Sequence, residues 1–214
     1  MKNSTVLKNE LIFQYASGTS SLAKSLMAST YLFLNTSEIK LYNQFEDYCG
    51  EELNNVAPVQ PTKLTMDDCI NNEKKMIKTN KTNNKNPINK FVTSYYDLKW
   101  KNIFRGFYEY SIRLSNNENA KLIKMDPGAS VPLHSHNGKE YILVLEGSFE
   151  DEYGKYTKGD LQINDYEIKH TPVASNKDGC ICLTITEKNL IFHGPFAPIL
   201  NLITYIKSLF FSNN

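Results

Sequence analysis

The protein has 214 residues, of which 41% are hydrophobic and 22% are charged, so it can bury a core and wholesale disorder is excluded. Its 24 Lys and Arg residues are nearly matched by 23 Asp and Glu residues, and this balance argues against a dedicated nucleic-acid binder. The four cysteines are too few for a disulfide-dense scaffold, and neither a signal peptide nor a membrane-spanning run of ~20 apolar residues is visible. We therefore expect a cytoplasmic protein with reduced thiols and without a membrane or direct nucleic-acid partner.

Residues 1–60 have the apolar spacing of three short helices. The first ends at Gly18, the second covers residues 20 to 34, and the third begins with a capping box of Asn35 and Glu38. The residues predicted to face inward are Leu7, Leu11, Ile12, Tyr15, Leu22, Leu26, Met27, Tyr31, Leu41, Tyr42, Phe45, Tyr48, Cys49 and Leu53. Such a bundle is too small to be very stable alone, and chains of this kind often complete their core on a partner.

Residues 61–90 are predicted to link the helices to the rest of the chain. A short amphipathic helix fits residues 67–78, and the stretch 79–90, TNKTNNKNPINK, has the Asn- and Lys-rich composition of a linker. The predicted organisation is therefore α+β in two domains. A helical bundle at 1–60 precedes a second domain at 91–214.

From residue 91 onward the hydrophobic period changes to two. The segments FRGFYEYSIRL, KLIKM, EYILVLEGSFED and GCICLTITE alternate or run apolar, as strands do. Turn signals such as Asn116-Asn117, Pro127-Gly128 and Gly179 separate them. Many short strands of this kind predict a jelly-roll β-barrel.

The segment 128–147, GASVPLHSHNGKEYILVLEG, carries the strongest chemical signal. On a strand, His134 and His136 face the same side, and the Asn-Gly turn that follows lets Glu140 return to the same point. His170 arrives from a later strand or loop. Three neutral imidazoles and one carboxylate suit Zn²⁺, Fe²⁺ or Mn²⁺, so we predict one divalent ion per chain, with Zn²⁺ as the expected ion. The alternative is a polar pair of strand histidines that binds no metal.

This spacing matches the first conserved motif of the cupins at every fixed position. The second cupin motif is matched in part, because Gly159 and His170 stand at the required separation. Asp165 and Glu167 replace its Pro and Gly, and Ala174 replaces its Asn. The predicted metal-ligand positions are thus retained, while the turn chemistry differs.

The remaining candidates near the motifs have simpler interpretations. His193 is predicted to be a surface or turn residue outside the metal group, and residues 150–152 are predicted to form a solvated turn. Cys180 and Cys182 share one face of a strand, where core packing and a redox-sensitive or ligand-lining pair both stay open. The apolar segment 196–211 either caps the barrel or forms a homodimer contact.

Several stretches together resemble one family, the ChrR-type anti-sigma factors. They are LIFQYASGT, KLIKMDPGASVPLHSHNGKEYILVLEGSFEDEYGKYTKGD, HTPVASNKDGCICLTI and IFHGPFAPILN, and the resemblance covers nearly the full chain. It implies a helical domain that holds a group IV (extracytoplasmic-function type) sigma factor off RNA polymerase. It also implies a cupin domain that responds to singlet oxygen or related oxidants and binds Zn²⁺ through His134, His136, Glu140 and His170.

The chain departs from that family in its first half. The family's N-terminal zinc site uses a His-x3-Cys-x2-Cys motif, but the corresponding stretch 29–40, STYLFLNTSEIK, contains neither His nor Cys. That site cannot form in its usual way here. Apolar packing by Tyr31, Phe33 and Leu34 is the expected replacement.

Three functions follow as hypotheses. The first is a transcriptional regulator that sequesters a sigma factor and senses oxidative stress. The second is a metal-dependent cupin enzyme, such as a dioxygenase, because a metal with open coordination positions can bind O₂ or activate water. The third is a small-molecule-binding cupin with a vestigial helical domain.

Overall fold

A computed structural model gives the structure of residues 2–57, 86–92, 94–114, 120–188, 190–195 and 197–202. The predicted helix at 67–78, most of the predicted linker, Cys69 and residues 203–211 lie outside these described ranges. Among the residues that the structure describes, no helix has both the length and the apolar character needed to cross a bilayer.

The predicted N-terminal helices are present. Helix α1 spans Lys2–Ala16, α2 spans Leu22–Leu34 and α3 spans Ile39–Asn54, and a short 3-10 helix at Thr36–Glu38 precedes α3. Gly18 follows α1 with a φ of 69°, a conformation that glycine adopts without a Cβ clash, and so ends the helix as predicted.

The predicted capping box at the start of the third helix is wrong. The Asn35 side-chain amide donates instead to the carbonyl oxygens of Tyr31 at 3.0 Å and Gly159 at 2.9 Å. It therefore ends α2 and ties that helix to the strand region. Glu38 accepts a hydrogen bond from Lys8 Nζ at 2.8 Å, so its carboxylate joins α1 to the 3-10 helix.

The prediction of which helix side chains face inward is only partly correct. Helix α3 packs on α1 through edge-to-face contact of Phe45 with Phe13, whose ring centroids lie 5.4 Å apart. Farther along α3, however, Tyr48 and Leu53 are 56% and 69% exposed, and Leu22 at the start of α2 is 44% exposed. These three side chains were expected to face inward.

The second half of the chain forms antiparallel strands. They are β1 (Lys101–Phe104), β2 (Phe107–Ile112), β3 (Ala120–Met125), β4 (His134–His136), β5 (Glu140–Asp151), β6 (Gly154–Thr157), β7 (Leu161–Asn164), β8 (Lys169–His170), β9 (Val173–Ala174), β10 (Cys180–Thr186) and β11 (Leu190–Phe192). The larger sheet has the order β1-β2-β3-β10-β5-β6, and β7 and β9 also pair with β5. A smaller sheet has the order β11-β4-β8.

Strand β5 is buried on both faces, and its two faces belong to different core clusters. Tyr141 and Leu143 pack with helix residues such as Met27, whereas Ile142 and Val144 belong to a second cluster on the other side. Helix α2 contacts β10 and β5, and α1 contacts β7. The helices therefore cover one face of the larger sheet, and on the opposite face the second cluster also includes Phe192 of the smaller sheet.

Candidate metal centre

Strands β4, β5 and β8 bring together the four residues that the sequence singles out. His134 and His136 lie two positions apart on β4, and the pairing of β4 with β8 places His134 opposite His170. Glu140 begins β5 directly after the Asn-Gly turn. None of the four residues is more than 6% exposed. One nitrogen or oxygen atom of each lies within 4.8 Å of those of the others.

The separations of these atoms suit a small cation. Nε2 of His170 lies 3.1 Å from Nε2 of His134 and 3.3 Å from Nε2 of His136. Oε2 of Glu140 lies 3.0 Å from Nε2 of His136 and 3.6 Å from Nε2 of His170. Bonds of ~2.0–2.1 Å in a tetrahedral site place neighbouring ligand atoms about 3.3 Å apart. The buried group could therefore hold a metal ion.

Hydrogen bonds outside the group orient two of the imidazoles. His134 Nδ1 donates to the Pro132 carbonyl oxygen at 2.9 Å, and His170 Nδ1 donates to Asp151 Oδ2 at 2.9 Å. A neutral ring that donates from Nδ1 carries a lone pair on Nε2. When both rings are neutral, the lone pairs of the two Nε2 atoms face each other at 3.1 Å. A cation bound between them relieves this repulsion.

Burial and mutual contact also set the charge of the group. Burial lowers the pKa of His134 to about 4, so its ring is neutral near pH 7. For Glu140, burial opposes ionisation, but the hydrogen bond from His136 and the nearby imidazoles outweigh it, and the carboxyl pKa is lowered. A neutral imidazole and a deprotonated carboxylate are the forms that bind metals.

Two residues that contact the group escaped sequence analysis. Asp151 was predicted to lie in a solvated turn, but its side chain is fully buried and accepts the hydrogen bond from His170. Asn164 stands opposite Glu140 in the β5–β7 pairing and donates to Glu140 Oε2 at 3.2 Å. Strand register brings both residues to the site, and the short-range spacing of residues in the sequence does not indicate this pairing.

The altered second motif builds its turn with different residues. Gly159 has a φ of 93°, the left-handed conformation that explains a glycine there. The Asp165 side chain accepts a hydrogen bond from the Glu167 backbone N–H at 3.0 Å, so an Asx turn replaces the expected Pro and Gly. Ala174 is buried opposite Phe149 in the β5–β9 pair.

The remaining candidates lie outside the group. His193 Nε2 contacts the Ser135 hydroxyl at 2.8 Å, on the other side of β4 from the ligands. Cys180 and Cys182 are buried in the second core cluster with their sulfur atoms 4.0 Å apart. The Cys180 contact and burial raise the pKa of the Cys182 thiol well above its ordinary value, which favours a protonated, packed side chain.

The antiparallel sheets and the buried His/Glu group define a cupin-like protein with helices at its N-terminus. In agreement with this, residues 89–189 match the family model described as the ChrR cupin-like domain.

More widely, the chain is similar to the anti-sigma-E factor ChrR of Cereibacter sphaeroides. The two are 29% identical over 194 residues, which cover 87% of this chain and 91% of the relative. Among solved structures, that of Rhodobacter sphaeroides SigE in complex with the anti-sigma ChrR matches with a TM-score of 0.69 and 29% identity, covering 84% of this chain and 96% of that one. The resemblance to ChrR-type anti-sigma factors, predicted from the sequence, is confirmed.

Proposed function

We propose that this protein is an anti-sigma factor that binds an extracytoplasmic-function (group IV) sigma factor through its N-terminal helices. The observation that carries this proposal is the similarity to ChrR, which extends well beyond the cupin-like region. The matching ChrR structure was solved with a sigma factor, SigE.

The helices offer apolar side chains for such a partner. The exposed ones on and beside α1 and α3 include Val6, Phe13, Tyr48, Leu53 and Val56, each at least 38% exposed. Exposed apolar side chains on neighbouring elements are typical of protein-binding surfaces. Two of them, Tyr48 and Leu53, were predicted to face inward, which supports a core that is completed on a partner.

The helices also have a metal-free replacement for the missing zinc motif. Tyr31 is 5% exposed and Leu34 packs on the first core cluster. The Tyr31 hydroxyl donates to Glu38 at 3.3 Å, and Lys8 pairs with the same carboxylate at 2.8 Å. This cluster joins α1, α2 and the 3-10 helix where the family places its metal. It supports sigma-factor binding without an N-terminal zinc ion.

We further propose that His134, His136, Glu140 and His170 bind one divalent ion, Zn²⁺ in preference to Fe²⁺ or Mn²⁺. A bound Zn²⁺ would cross-link β4, β5 and β8. Since the helices pack on β5, damage to the ligands by an oxidant would change the stability of the sheet that supports them. Oxidative release of the sigma factor requires such a difference between the two states.

The proposed organisation has an anti-sigma-like helical domain at 1–60 and a jelly-roll barrel at 91–214. Residues 197–202 form a helical segment in which Ala197 and Leu200 pack on the second core cluster. Asn201 accepts from the Phe192 N–H at 2.8 Å and donates to its carbonyl at 3.1 Å. These contacts support the capping interpretation of the C-terminal segment over a homodimer contact.

Transcription in vitro tests the proposed function. The full chain should inhibit core RNA polymerase that carries the host's cognate group IV sigma factor. A Tyr48→Glu/Leu53→Glu double variant should lose this inhibition because charge is placed on the exposed helix surface. Tyr96→Glu is the matched control, since Tyr96 is an 85% exposed aromatic residue in the segment before β1 and belongs to none of the three N-terminal helices. Equal inhibition by the double variant and the control would argue against this surface, and no inhibition by the wild-type chain would argue against the function.

A further inference from the structure

Asp151 connects a turn to the candidate metal centre through both of its carboxylate oxygens. Its Oδ1 accepts hydrogen bonds from the backbone N–H groups of Tyr153 at 2.9 Å and Gly154 at 3.1 Å. Its Oδ2 accepts from His170 Nδ1 at 2.9 Å and from Gln162 Nε2 at 2.7 Å. The side chain is fully buried. A carboxylate with four donors around it is fixed in one orientation.

The Gln162 side chain also holds the Asp151 carboxylate in place. It is 4% exposed on β7, and its Nε2 lies within hydrogen-bonding distance of both Asp151 Oδ2 and the Tyr156 hydroxyl. The position of the Asp151 carboxylate is therefore determined by β6, β7 and the turn between β5 and β6. None of these contacts involves a candidate metal ligand.

The three histidines of the group differ in the hydrogen-bond partners of their Nδ1 atoms. His134 donates to a neutral carbonyl, and His136 Nδ1 has no hydrogen-bond partner among the described residues. Among the described residues, His170 alone of these three has a carboxylate as the hydrogen-bond partner of its Nδ1 atom. A carboxylate can only accept, so it holds the proton on Nδ1 and strengthens Nε2 as a ligand.

We propose that Asp151 is a positioning residue that holds His170 in the tautomer able to bind the metal ion. This proposal rests on the proposed metal site. Asp151 is not one of the four candidate ligands; it acts through the imidazole of His170. Only an acceptor can select the Nδ1–H form of His170, whereas an amide can present a donor.

The test is Asp151→Asn in the full-length protein. An asparagine oxygen can still accept from Tyr153 and Gly154, which leaves its NH₂ group facing His170. The imidazole should then accept at Nδ1 and carry its proton on Nε2, toward the metal group. Asp160→Asn is the matched control, because Asp160 Oδ2 caps a turn by accepting from Thr157 N at 2.7 Å and Oγ1 at 2.9 Å.

Two readouts are compared. The first is the tautomer of His170 in the metal-free proteins by ¹⁵N NMR, and the second is the Zn²⁺ dissociation constant by chelator competition. We expect Nδ1–H in the wild type and the control, Nε2–H in Asp151→Asn, and about 10–100-fold weaker Zn²⁺ binding by that variant alone.

Either of two results would overturn the role of Asp151: a wild-type His170 protonated on Nε2, or an Asp151→Asn variant that binds Zn²⁺ as tightly as the control. The wild-type spectrum decides the first even where the variant fails to fold. A wild-type chain that shows Nδ1–H but binds no Zn²⁺ would instead refute the proposed metal site and leave the tautomer assignment supported.

Discussion

At the scale of single residues, His134 and Glu140 of the candidate centre already have the protonation states that metal ligands need. The imidazole and carboxylate groups of the centre are buried together, and burial by itself disfavours the charged form of each group. Contacts within the group keep Glu140 ionised and burial keeps His134 neutral. These two groups are therefore preset to bind a cation, whereas His136 must move from its Nε2 atom the proton that it donates to Glu140.

Removing ligands should empty the site. His134→Ala and a His134→Ala/His170→Ala double variant are expected to lose the single bound ion and to unfold at lower temperature, because a cross-linking metal contributes to folding. His193→Ala is the control, since His193 lies on the other side of β4. Metal analysis and thermal unfolding check this. Full metal content in the double variant would show that the ligands are elsewhere, and two ions per chain would reveal a second site.

The metal-free protein should lose stability in mild acid. The folded pKa of His134 is lowered from 6.5 to about 4, so the unfolded chain binds more protons across this range. The free energy of unfolding should therefore fall as pH decreases from about 6.5 toward about 4, and a His134→Asn variant should show a smaller fall. Urea unfolding between about pH 7 and about pH 5, above the carboxyl range, measures this. An equal slope in both proteins would contradict it.

At the scale of elements, ion pairs connect the helices to the loop between two candidate ligands. Lys139, next to Glu140, pairs with Glu10 of α1 at 2.9 Å, and Lys24 of α2 pairs with Glu187 at 2.8 Å. Glu187 also accepts from the Lys139 backbone N–H at 3.1 Å. The loop that carries Glu140 is thus held by α1 and by a carboxylate that α2 contacts.

These pairs should contribute weakly and in a salt-dependent way. A double-mutant cycle of Lys139→Ala and Glu10→Ala is expected to give a coupling of ~0.2–1 kcal/mol in the free energy of unfolding, because both groups are partly exposed. The coupling should decrease in high salt. Lys121 and Glu109, paired within the sheet at 2.9 Å, provide a comparison cycle. Zero coupling at low salt would show that the first pair does not hold the loop.

How far the sequence predicts these elements depends on the range of the interactions. Helical spacing and period-two alternation predict α1, α2 and the strands because both are local patterns. Motif spacing brings His134, His136 and Glu140 together for the same reason, and His170 is added by the partly matched second cupin motif. The partner of His170 is Asp151, nineteen positions away by chain but adjacent in space. Strand register decides such a contact, and so does the exposure of Leu53, which no neighbouring element covers among the described residues.

At the scale of the whole molecule, the helices and the larger sheet share one core cluster. It includes Met27 from α2, Leu143 from β5 and Leu183 from β10, all of them fully buried. A partner bound to the helices is therefore linked through this core to the strand that begins at Glu140. In the proposed function, a change at the candidate centre would reach the helices through this shared core.

A cavity in the shared core should destabilise both parts together. Met27→Ala is expected to cost about 2–5 kcal/mol in the free energy of unfolding. Circular dichroism follows mainly the helices, and the single tryptophan, Trp100, packs beside the first cluster on the strand side. Both signals should shift to the same lower midpoint. Loss of the helical signal with an unchanged tryptophan transition would show that the helices fold independently.

The central claim is that the chain sequesters a sigma factor, and a co-expression pull-down of the full-length protein with each of the host's group IV sigma factors tests it most directly. We expect a stoichiometric complex with one of them that survives size-exclusion chromatography, although the chain lacks the N-terminal zinc motif. Failure of a demonstrably folded protein to retain any of these sigma factors would contradict the proposed function and favour a cupin that binds or converts a small molecule.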